Sequence, residues 1–248
     1  MHTKILAIIL LSTFLHASSI TVALAANVSY AIVALKTAFE NHYPTIHVKT
    51  IISGSGKLTA QIKRGAPYDL FLSANMLYPH KLYKEHFAIH EPAIYAQGSL
   101  AILSKQSQDF TNLTSLLQSK KIQLIAIANP RLAPYGKAAL QTLHNLHLYH
   151  KIKNKLIFGE SIAQTLTYTM TAANLGFIAK SALYSARMQH FKEGKNYKEI
   201  NPQLYTPIAQ GIVILSRAKH NQDAYKFYNF MLSQEAKTIL QNYGYNIL

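Results

Sequence analysis

The stretch VKTIISGSGKLTAQIKRGAPYDLFLS, residues 48–73, decides the fold of this 248-residue chain. Its β-branched start, Val48–Ile52, predicts a buried strand, and the apolar positions of Leu58–Arg64 follow a helical period. Gly65 ends that helix, and Asp69–Ser73 is the next apolar strand. The polar junction Ser53-Gly54-Ser55-Gly56 joins the first strand to the helix. This strand–helix–strand order is typical of a parallel α/β sheet.

The same kind of strand-to-helix junction recurs three more times along the chain. The apolar runs before these junctions are Ile20–Ala25, Ile122–Ala128 and Lys155–Phe158. The junctions themselves are Ala26-Asn27-Val28-Ser29, Leu132-Ala133-Pro134-Tyr135 and Gly159-Glu160-Ser161-Ile162. The start of a helix leaves backbone N–H groups unpaired and carries partial positive charge, so it favours anions. Four such starts converging on one cleft would form a cage for a small oxyanion.

The order of strands and helices predicts an α/β protein of two lobes, each a largely parallel sheet flanked by helices. Two junctions precede Gly98 and two follow it, so each lobe supplies two walls of the cleft at the carboxyl ends of its strands. We expect hinge crossings near Gln97–Gly98 and Thr206–Gln210. Lobe 1 then comprises residues 20–97 and 210–248, lobe 2 comprises residues 98–209, and a long helix over Asn221–Asn242 closes the fold.

The first 19 residues read as a secretory signal peptide. A short basic start with Lys4 precedes the apolar core Ile5–Leu15, and Ala17-Ser18-Ser19 offers small residues for cleavage. That apolar core is too short to span a bilayer comfortably. The chain has no cysteine, so it has neither disulfides nor a thiol for a lipid anchor. An exported binder without a lipid is retained only behind an outer membrane, so we expect a periplasmic location.

The charge balance is strongly basic, with 25 Lys and Arg against 10 Asp and Glu and a net charge of +15. The basic residues are scattered and form no run of five, which favours a solvated surface over a nucleic-acid site. No nucleophile elbow, zinc-protease motif or catalytic carboxylate pair is recognisable. Histidines at 144, 147 and 150 lack a nearby carboxylate, so no cation site is assigned. We expect neither an enzyme nor a cofactor.

Several sequence blocks resemble, in order, those of the periplasmic molybdate-binding proteins. Ala25-Ala26-Asn27 resembles the family's opening, and Ser55–Ile62 (SGKLTAQI) with Gly65–Ala74 (GAPYDLFLSA) resembles its most recognisable block. The remaining matching blocks are residues 127–130 with 133–139, and residues 159–164 with 175–179. The resemblance implies the type II periplasmic-binding fold, which closes around the ion. It also implies a monomeric solute-binding component that delivers molybdate or tungstate to the membrane permease of an ABC importer.

The resemblance also implies the ligand positions. The polar residue of the first junction is Asn27, and the serine of the second block is Ser55, with Ser53 and Gly54 close by. Backbone donors fall around Ala133–Tyr135 and on Ile162. Some family members place a tyrosine hydroxyl on the ion at the position that is Ala179 here, and we assign that contact instead to Tyr135 from another wall.

Two alternatives remain at the sequence level. The chain could bind another oxyanion, such as sulfate or phosphate, or it could be a periplasmic enzyme on a similar two-lobe scaffold. Phosphate keeps a proton near neutral pH, so a site for it usefully includes a carboxylate acceptor, and an enzyme needs an acid or base in the cleft. Glu160 is the one acidic residue at a junction. If Glu160 faces away from the cage, molybdate or tungstate is favoured.

Overall fold

The computed structural model describes residues 17–247 and contains two five-stranded sheets, each flanked by helices. The strands are β1 (Ser18–Ala25), β2 (Ile46–Ser53), β3 (Leu70–Ser73), β4 (Ala93–Gly98), β5 (Leu100–Leu103), β6 (Ile125–Ala128), β7 (Leu156–Gly159), β8 (Leu175–Ala179), β9 (Tyr197–Glu199) and β10 (Ile208–Ile214). The α-helices are α1 (Ile32–His42), α2 (Ser55–Lys63), α3 (Leu77–Lys84), α4 (Leu113–Gln118), α5 (Pro134–Asn145), α6 (Tyr149–Ile152), α7 (Ile162–Thr171), α8 (Gln222–Met231) and α9 (Gln234–Asn242).

Both sheets are mixed but largely parallel, as predicted, because four of the five strands in each sheet run in the same direction. The first has the order β2-β1-β3-β10-β4, and the second has the order β7-β6-β8-β5-β9. In each, two neighbouring pairs are parallel and two are antiparallel. The antiparallel pairs arise because one strand in each sheet is reversed, β10 in the first and β5 in the second, and each is the strand with which the chain enters that sheet after crossing from the other.

The two crossings create two lobes. β4 ends at Gly98 in the first sheet and β5 begins at Leu100 in the second, while the chain returns between Glu199 and Ile208. We call the part built on the first sheet lobe 1 and the part built on the second sheet lobe 2. A Cβ at Gly98 would collide with the Tyr135 hydroxyl, so only glycine permits this close approach of the crossing to lobe 2.

Two element boundaries differ from the sequence prediction. The first strand begins at Ser18, because Ser18 and Ser19 continue the parallel ladder with Ile46 and His47. The expected signal segment therefore overlaps this strand at residues 18 and 19, and its first 16 residues lie outside the described part of the chain. Among residues 17–247, every helix is too short or too polar to cross a membrane.

The predicted closing helix over Asn221–Asn242 is two helices. α8 ends at Met231 and α9 begins at Gln234, because the Ser233 hydroxyl accepts a hydrogen bond from the Ala236 N–H and caps a new helix start. Both helices pack on α1, where the rings of Phe39 and Phe227 meet edge to face at 5.0 Å. The break lets two short helices follow the curved surface of lobe 1.

Candidate anion-binding site

A small pocket lies between the two lobes at the carboxyl ends of their parallel strands. Its volume is about 10 Å³, about the space that one water molecule needs, so it excludes an extended organic ligand and admits a tetrahedral oxyanion only if its walls move apart. Both lobes contribute residues to its wall, and none of these residues carries a charge. They are Ala25, Ala26, Asn27, Gly54, Ser55, Ala74, Ala133, Pro134, Tyr135 and Ile162.

The pocket brings together all four strand-to-helix junctions. Asn27 lies in the short 3₁₀ helix that follows β1, and Ser55 begins α2 after β2. Tyr135 is the second residue of α5 after β6, and Ile162 begins α7 after β7. Each lobe therefore supplies two helix starts to one small space. Ser53 and Ala179, the last residues of β2 and β8, are the predicted neighbours that do not line the pocket.

Four backbone N–H groups around the pocket are unpaired. Within residues 17–247 no protein acceptor lies within hydrogen-bond distance of them, as expected for donors in the first turn of a helix. They belong to Asn27, Ser55, Tyr135 and Ile162. Since all four residues are buried, these donors need an acceptor that the described protein does not supply.

The Ser55 hydroxyl adds a further donor. Its oxygen accepts a hydrogen bond from the Ala74 N–H at 3.0 Å, which fixes the side chain and leaves its own proton for another acceptor. At position 54, just before α2, the structure has room only for glycine. A Cβ there would lie 2.9 Å from the Glu160 carbonyl oxygen of lobe 2.

A buried polar network lies beside the pocket and involves two of its lining residues. Asn27 Nδ2 donates to Gln210 Oε1 at 2.8 Å and to the Tyr245 hydroxyl at 3.0 Å. Gln210 Nε2 donates to the Tyr135 hydroxyl at 3.2 Å. The Asn27 carbonyl oxygen accepts from Tyr245 at 2.8 Å and from Ser181 of lobe 2 at 3.0 Å. These bonds hold the peptide of Asn27 from both lobes.

The tyrosines of this network remain protonated near neutral pH. Burial raises the pKa of Tyr95, Tyr135 and Tyr245 well above the ordinary value, and neighbouring tyrosines add to the shift at Tyr95 and Tyr135. Their neutral hydroxyl groups put no negative charge beside the pocket.

Glu160 is turned away from the pocket. Its carboxylate lies 3.4 Å from the ammonium of Lys57 across the lobe boundary, and its side chain is 68% exposed. Two more contacts join the lobes here, from the Gly56 N–H to the Leu132 carbonyl at 3.0 Å and from the Tyr78 hydroxyl to the Arg131 carbonyl at 3.3 Å. The lobes therefore touch around a pocket that has no carboxylate in its wall.

Sequence reasoning missed Gln210, Tyr245, Tyr95 and Ser181. Gln210 was assigned only to the hinge crossing Thr206–Gln210 and the strand that follows it, and most tyrosines were interpreted as interface and core residues. Their roles depend on contacts between residues 75 to 218 positions apart, which no local pattern encodes. A glutamine within the apolar run Ile208–Ile214 was the one available signal, because a buried amide requires polar partners. Within residues 17–247, no cluster of three metal-ligating side chains is present.

Two lobes joined by crossing strands, with unpaired neutral donors from both lobes facing one small pocket, define a protein of the solute-binding class. Residues 20–246 match the sequence pattern of this class, and the chain belongs to the family of bacterial extracellular solute-binding proteins.

Within this family, the chain is similar to several proteins named for molybdate binding. The chain is 34% identical over 241 residues to the molybdate-binding protein ModA of Azotobacter vinelandii, covering 96% of this chain and 94% of that protein. It is 33% identical to the ModA of Rhodobacter capsulatus, covering 81% and 78% of the two chains. The solved periplasmic molybdate-binding protein of A. vinelandii superposes with a TM-score of 0.85 at 30% identity, over 92% of this chain and 99% of that one.

Proposed function

We propose that this protein captures molybdate between its lobes and delivers it to the membrane permease of an ABC importer. The observation that carries the proposal is the set of four unpaired backbone N–H groups, two from each lobe, around a small uncharged pocket. The similarity to molybdate-binding relatives over nearly the whole chain supports molybdate as the ion. The proposed lobes comprise residues 18–97 with 210–248 and residues 98–209.

In this proposal, the ion receives the N–H groups of Asn27, Ser55, Tyr135 and Ile162 together with the Ser55 hydroxyl. Gly54 and Ala133 form part of the wall, while Ser53 and Ala179 lie close by behind it. A hydrogen bond to a charged group contributes about 1.5–3 kcal/mol net, and each helix start adds about 0.3–1 kcal/mol. Even after the cost of closing the lobes, such a site supports micromolar or tighter binding, which corresponds to about −8 kcal/mol.

The uncharged wall favours a fully deprotonated tetrahedral dianion over phosphate and over an enzyme's substrate, while the similarity to molybdate-binding relatives favours molybdate over sulfate. Phosphate carries a proton near neutral pH and gains from a carboxylate acceptor, but Glu160 pairs with Lys57 outside the pocket. The same absence of an acid or base in the described pocket wall argues against an enzyme. Tungstate has nearly the same size and charge as molybdate, so we propose that it binds as well.

We further propose that the protein acts as a monomer in the periplasm after removal of a signal peptide. The sequence predicts a signal peptide over residues 1–19; because Ser18 of β1 pairs with Ile46 of β2, we propose that the cut falls two residues earlier, just before Ser18, and that lobe 1 begins there. The N-terminal sequence of the exported protein tests this position.

Calorimetry on the ion-free mature protein tests the proposed ligand. Molybdate, tungstate, sulfate and phosphate are titrated separately at the same pH and ionic strength. We expect micromolar or tighter dissociation constants for molybdate and tungstate, and binding at least 100-fold weaker for phosphate. Tightest binding of sulfate or phosphate, or no binding of molybdate, would overturn the proposal.

A further inference from the structure

Gln210 is a fully buried side chain that connects the two lobes beside the pocket. It lies in β10, where the pairing with β4 shifts register between Gln210 and Gly211. Such a bulge changes the direction of a side chain relative to a regular strand. Gln210 Oε1 accepts from the Tyr95 hydroxyl and from Asn27 Nδ2, both at 2.8 Å, while Nε2 donates to Tyr135 of lobe 2. One amide thus contacts two residues of the pocket wall.

The amide of Asn27 is only half satisfied. Its Nδ2 has two partners, Gln210 and Tyr245, but its Oδ1 has none among the described residues, and the side chain is fully buried. A buried polar atom without a partner is costly, so its occurrence in a native site requires an explanation. Asn27 also lines the pocket, and an unpartnered oxygen in the wall repels an anion that carries no proton.

We propose, on the basis of the proposed oxyanion capture, that Gln210 is a positioning residue and that its amide and that of Asn27 turn over together when the ion binds. Turning the Asn27 amide alone would place Oδ1 against Gln210 Oε1, two acceptors without a proton between them. Turning both places Gln210 Nε2 against Asn27 Oδ1, and Asn27 Nδ2 becomes the free end that donates to the ion.

The reversed arrangement gives Asn27 Oδ1 a donor but removes the one acceptor that the Tyr95 hydroxyl proton has among the described residues, so the bond to the ion is what makes the reversal favourable. Gln210 Nε2 donates to Asn27 Oδ1 and to the Tyr95 oxygen, while Gln210 Oε1 accepts the proton of the Tyr135 hydroxyl. Tyr95 and Tyr135 thereby exchange their roles toward Gln210 without moving, since a hydroxyl both donates and accepts. The Tyr245 proton turns from the Asn27 carbonyl oxygen to Asn27 Oδ1, which takes the place of Nδ2 at 3.0 Å, and Ser181 still donates to the carbonyl oxygen. The unpartnered oxygen disappears, and the pocket gains a donor in its place.

Nuclear magnetic resonance of the side-chain amides tests the reversal directly in the mature protein. In the free protein, the Gln210 NH₂ protons lie near the Tyr135 ring, so we expect cross-relaxation between them. With saturating molybdate, we expect these cross-peaks to move to the Tyr95 ring and the Asn27 NH₂ resonances to shift. Molybdate binding with the Gln210 NH₂ still beside Tyr135 would overturn the reversal.

Paired variants test the positioning role by calorimetry. Gln210→Met keeps the length of the side chain but removes both hydrogen-bonding ends, so we expect molybdate affinity to fall at least tenfold. Gln203→Met changes the same residue type on an exposed 3₁₀ turn and serves as the control, with unchanged affinity. Unchanged affinity in Gln210→Met would overturn the positioning role.

The outcomes separate this proposal from the proposed function. Absence of molybdate binding by the wild-type protein overturns both. Molybdate binding without the exchange of cross-peaks overturns only the amide reversal. Unchanged cross-peaks with tighter binding of a proton-bearing ion also overturn it, because Asn27 Oδ1 then acts as an acceptor. If Gln210→Met does not fold, the resonance measurement on the wild-type protein still decides.

Discussion

At the scale of single residues, Ser55 combines a structural contact with an available donor. Its oxygen accepts from the Ala74 N–H, so the hydroxyl proton is free, and its own backbone N–H is unpaired within the described chain. A side chain held in this way loses little additional freedom when an ion binds. Ser55 is therefore the pocket residue whose truncation most cleanly measures a single hydroxyl.

We expect Ser55→Ala to weaken molybdate binding by about 1–3 kcal/mol, because one hydrogen bond to a charged group is lost. Calorimetry measures this loss, and circular dichroism checks the fold. Ser233→Ala is the matched control. Ser233 caps α9 outside the pocket, so its loss lowers the free energy of unfolding by about 1 kcal/mol and leaves affinity unchanged. Equal affinity of Ser55→Ala and wild type would remove Ser55 from the site.

The buried tyrosines give the protein a predictable response to alkaline pH. In the folded state the pKa of Tyr95, Tyr135 and Tyr245 is raised by burial, while in the unfolded chain it is about 10. Below pH 10 both states are protonated and stability does not depend on these groups. Above pH 10 the unfolded chain loses protons that the folded protein retains, so stability falls.

We expect the free energy of unfolding to fall by up to about 1.4 kcal/mol per pH unit per tyrosine above pH 10. Urea titrations at a series of pH values measure the slope. Tyr95→Phe removes one of the three groups, so the slope of unfolding free energy against pH should become shallower by the contribution of one tyrosine. A slope that is the same in the variant and the wild type would contradict the assignment.

The residue types at the four junctions made much of the pocket predictable from sequence. Asn27, Ser55, Tyr135 and Ile162 follow apolar strand-like runs, and parallel strands bring such positions to one edge of a sheet. The structure places all four on one pocket. Gln210 was not predictable as a neighbour of Asn27, because the two are 183 residues apart and only the packing of β10 brings them together.

At the scale of elements, helix starts at the pocket differ in how they are capped. α2 and α5 have no side-chain cap, whereas the Ser161 hydroxyl accepts from the Gln164 N–H and caps α7. That cap satisfies the third residue of α7 and leaves the N–H of Ile162 unpaired in the described chain. The cap of α7 and its donor to the pocket are therefore separate functions.

Ser161→Ala tests this separation. We expect the free energy of unfolding to fall by about 0.5–2 kcal/mol because a helix cap is lost. We expect molybdate affinity to change less than threefold, since the Ile162 N–H is untouched. Denaturant unfolding and calorimetry provide the two values. A loss of affinity as large as that of Ser55→Ala would mean that Ser161 itself contacts the ion.

Sequence periodicity predicted the elements better than it predicted their pairing. The strands and helices around each junction and the largely parallel direction of the strands were anticipated, but the reversed strands β10 and β5 and the break between α8 and α9 were not. Strand direction depends on where the chain crosses between lobes, and local periodicity does not indicate the position of these crossings. The break depends on the Ser233 hydroxyl capping Ala236 within a sequence that remains amphipathic on both sides.

At the scale of the whole molecule, the contacts between the lobes differ in strength. The Lys57–Glu160 pair is exposed on both sides, so it contributes no more than about 1 kcal/mol and weakens with salt. The Gly56 N–H to Leu132 carbonyl bond and the close approach of Gly54 to the Glu160 carbonyl are backbone contacts that no rotamer change can relieve. Backbone fit thus governs closure more than surface charge does.

Gly54→Ala tests whether this fit is needed for capture. The residue has ordinary extended dihedral angles, so alanine adds no backbone strain, but its Cβ would lie 2.9 Å from the Glu160 carbonyl oxygen. We expect each lobe to fold, the lobes to stay apart and molybdate affinity to fall more than tenfold. Solution scattering should show a radius of gyration that decreases with molybdate in the wild type and not in the variant.

Gly65→Ala, at a glycine with φ of +85° and open space around it, is the control that lowers stability without changing closure. Both substitutions add one methyl group to lobe 1, so they are matched in size. If the radius of gyration of Gly54→Ala decreased with molybdate as in the wild type, closure would not depend on the backbone contact at Gly54.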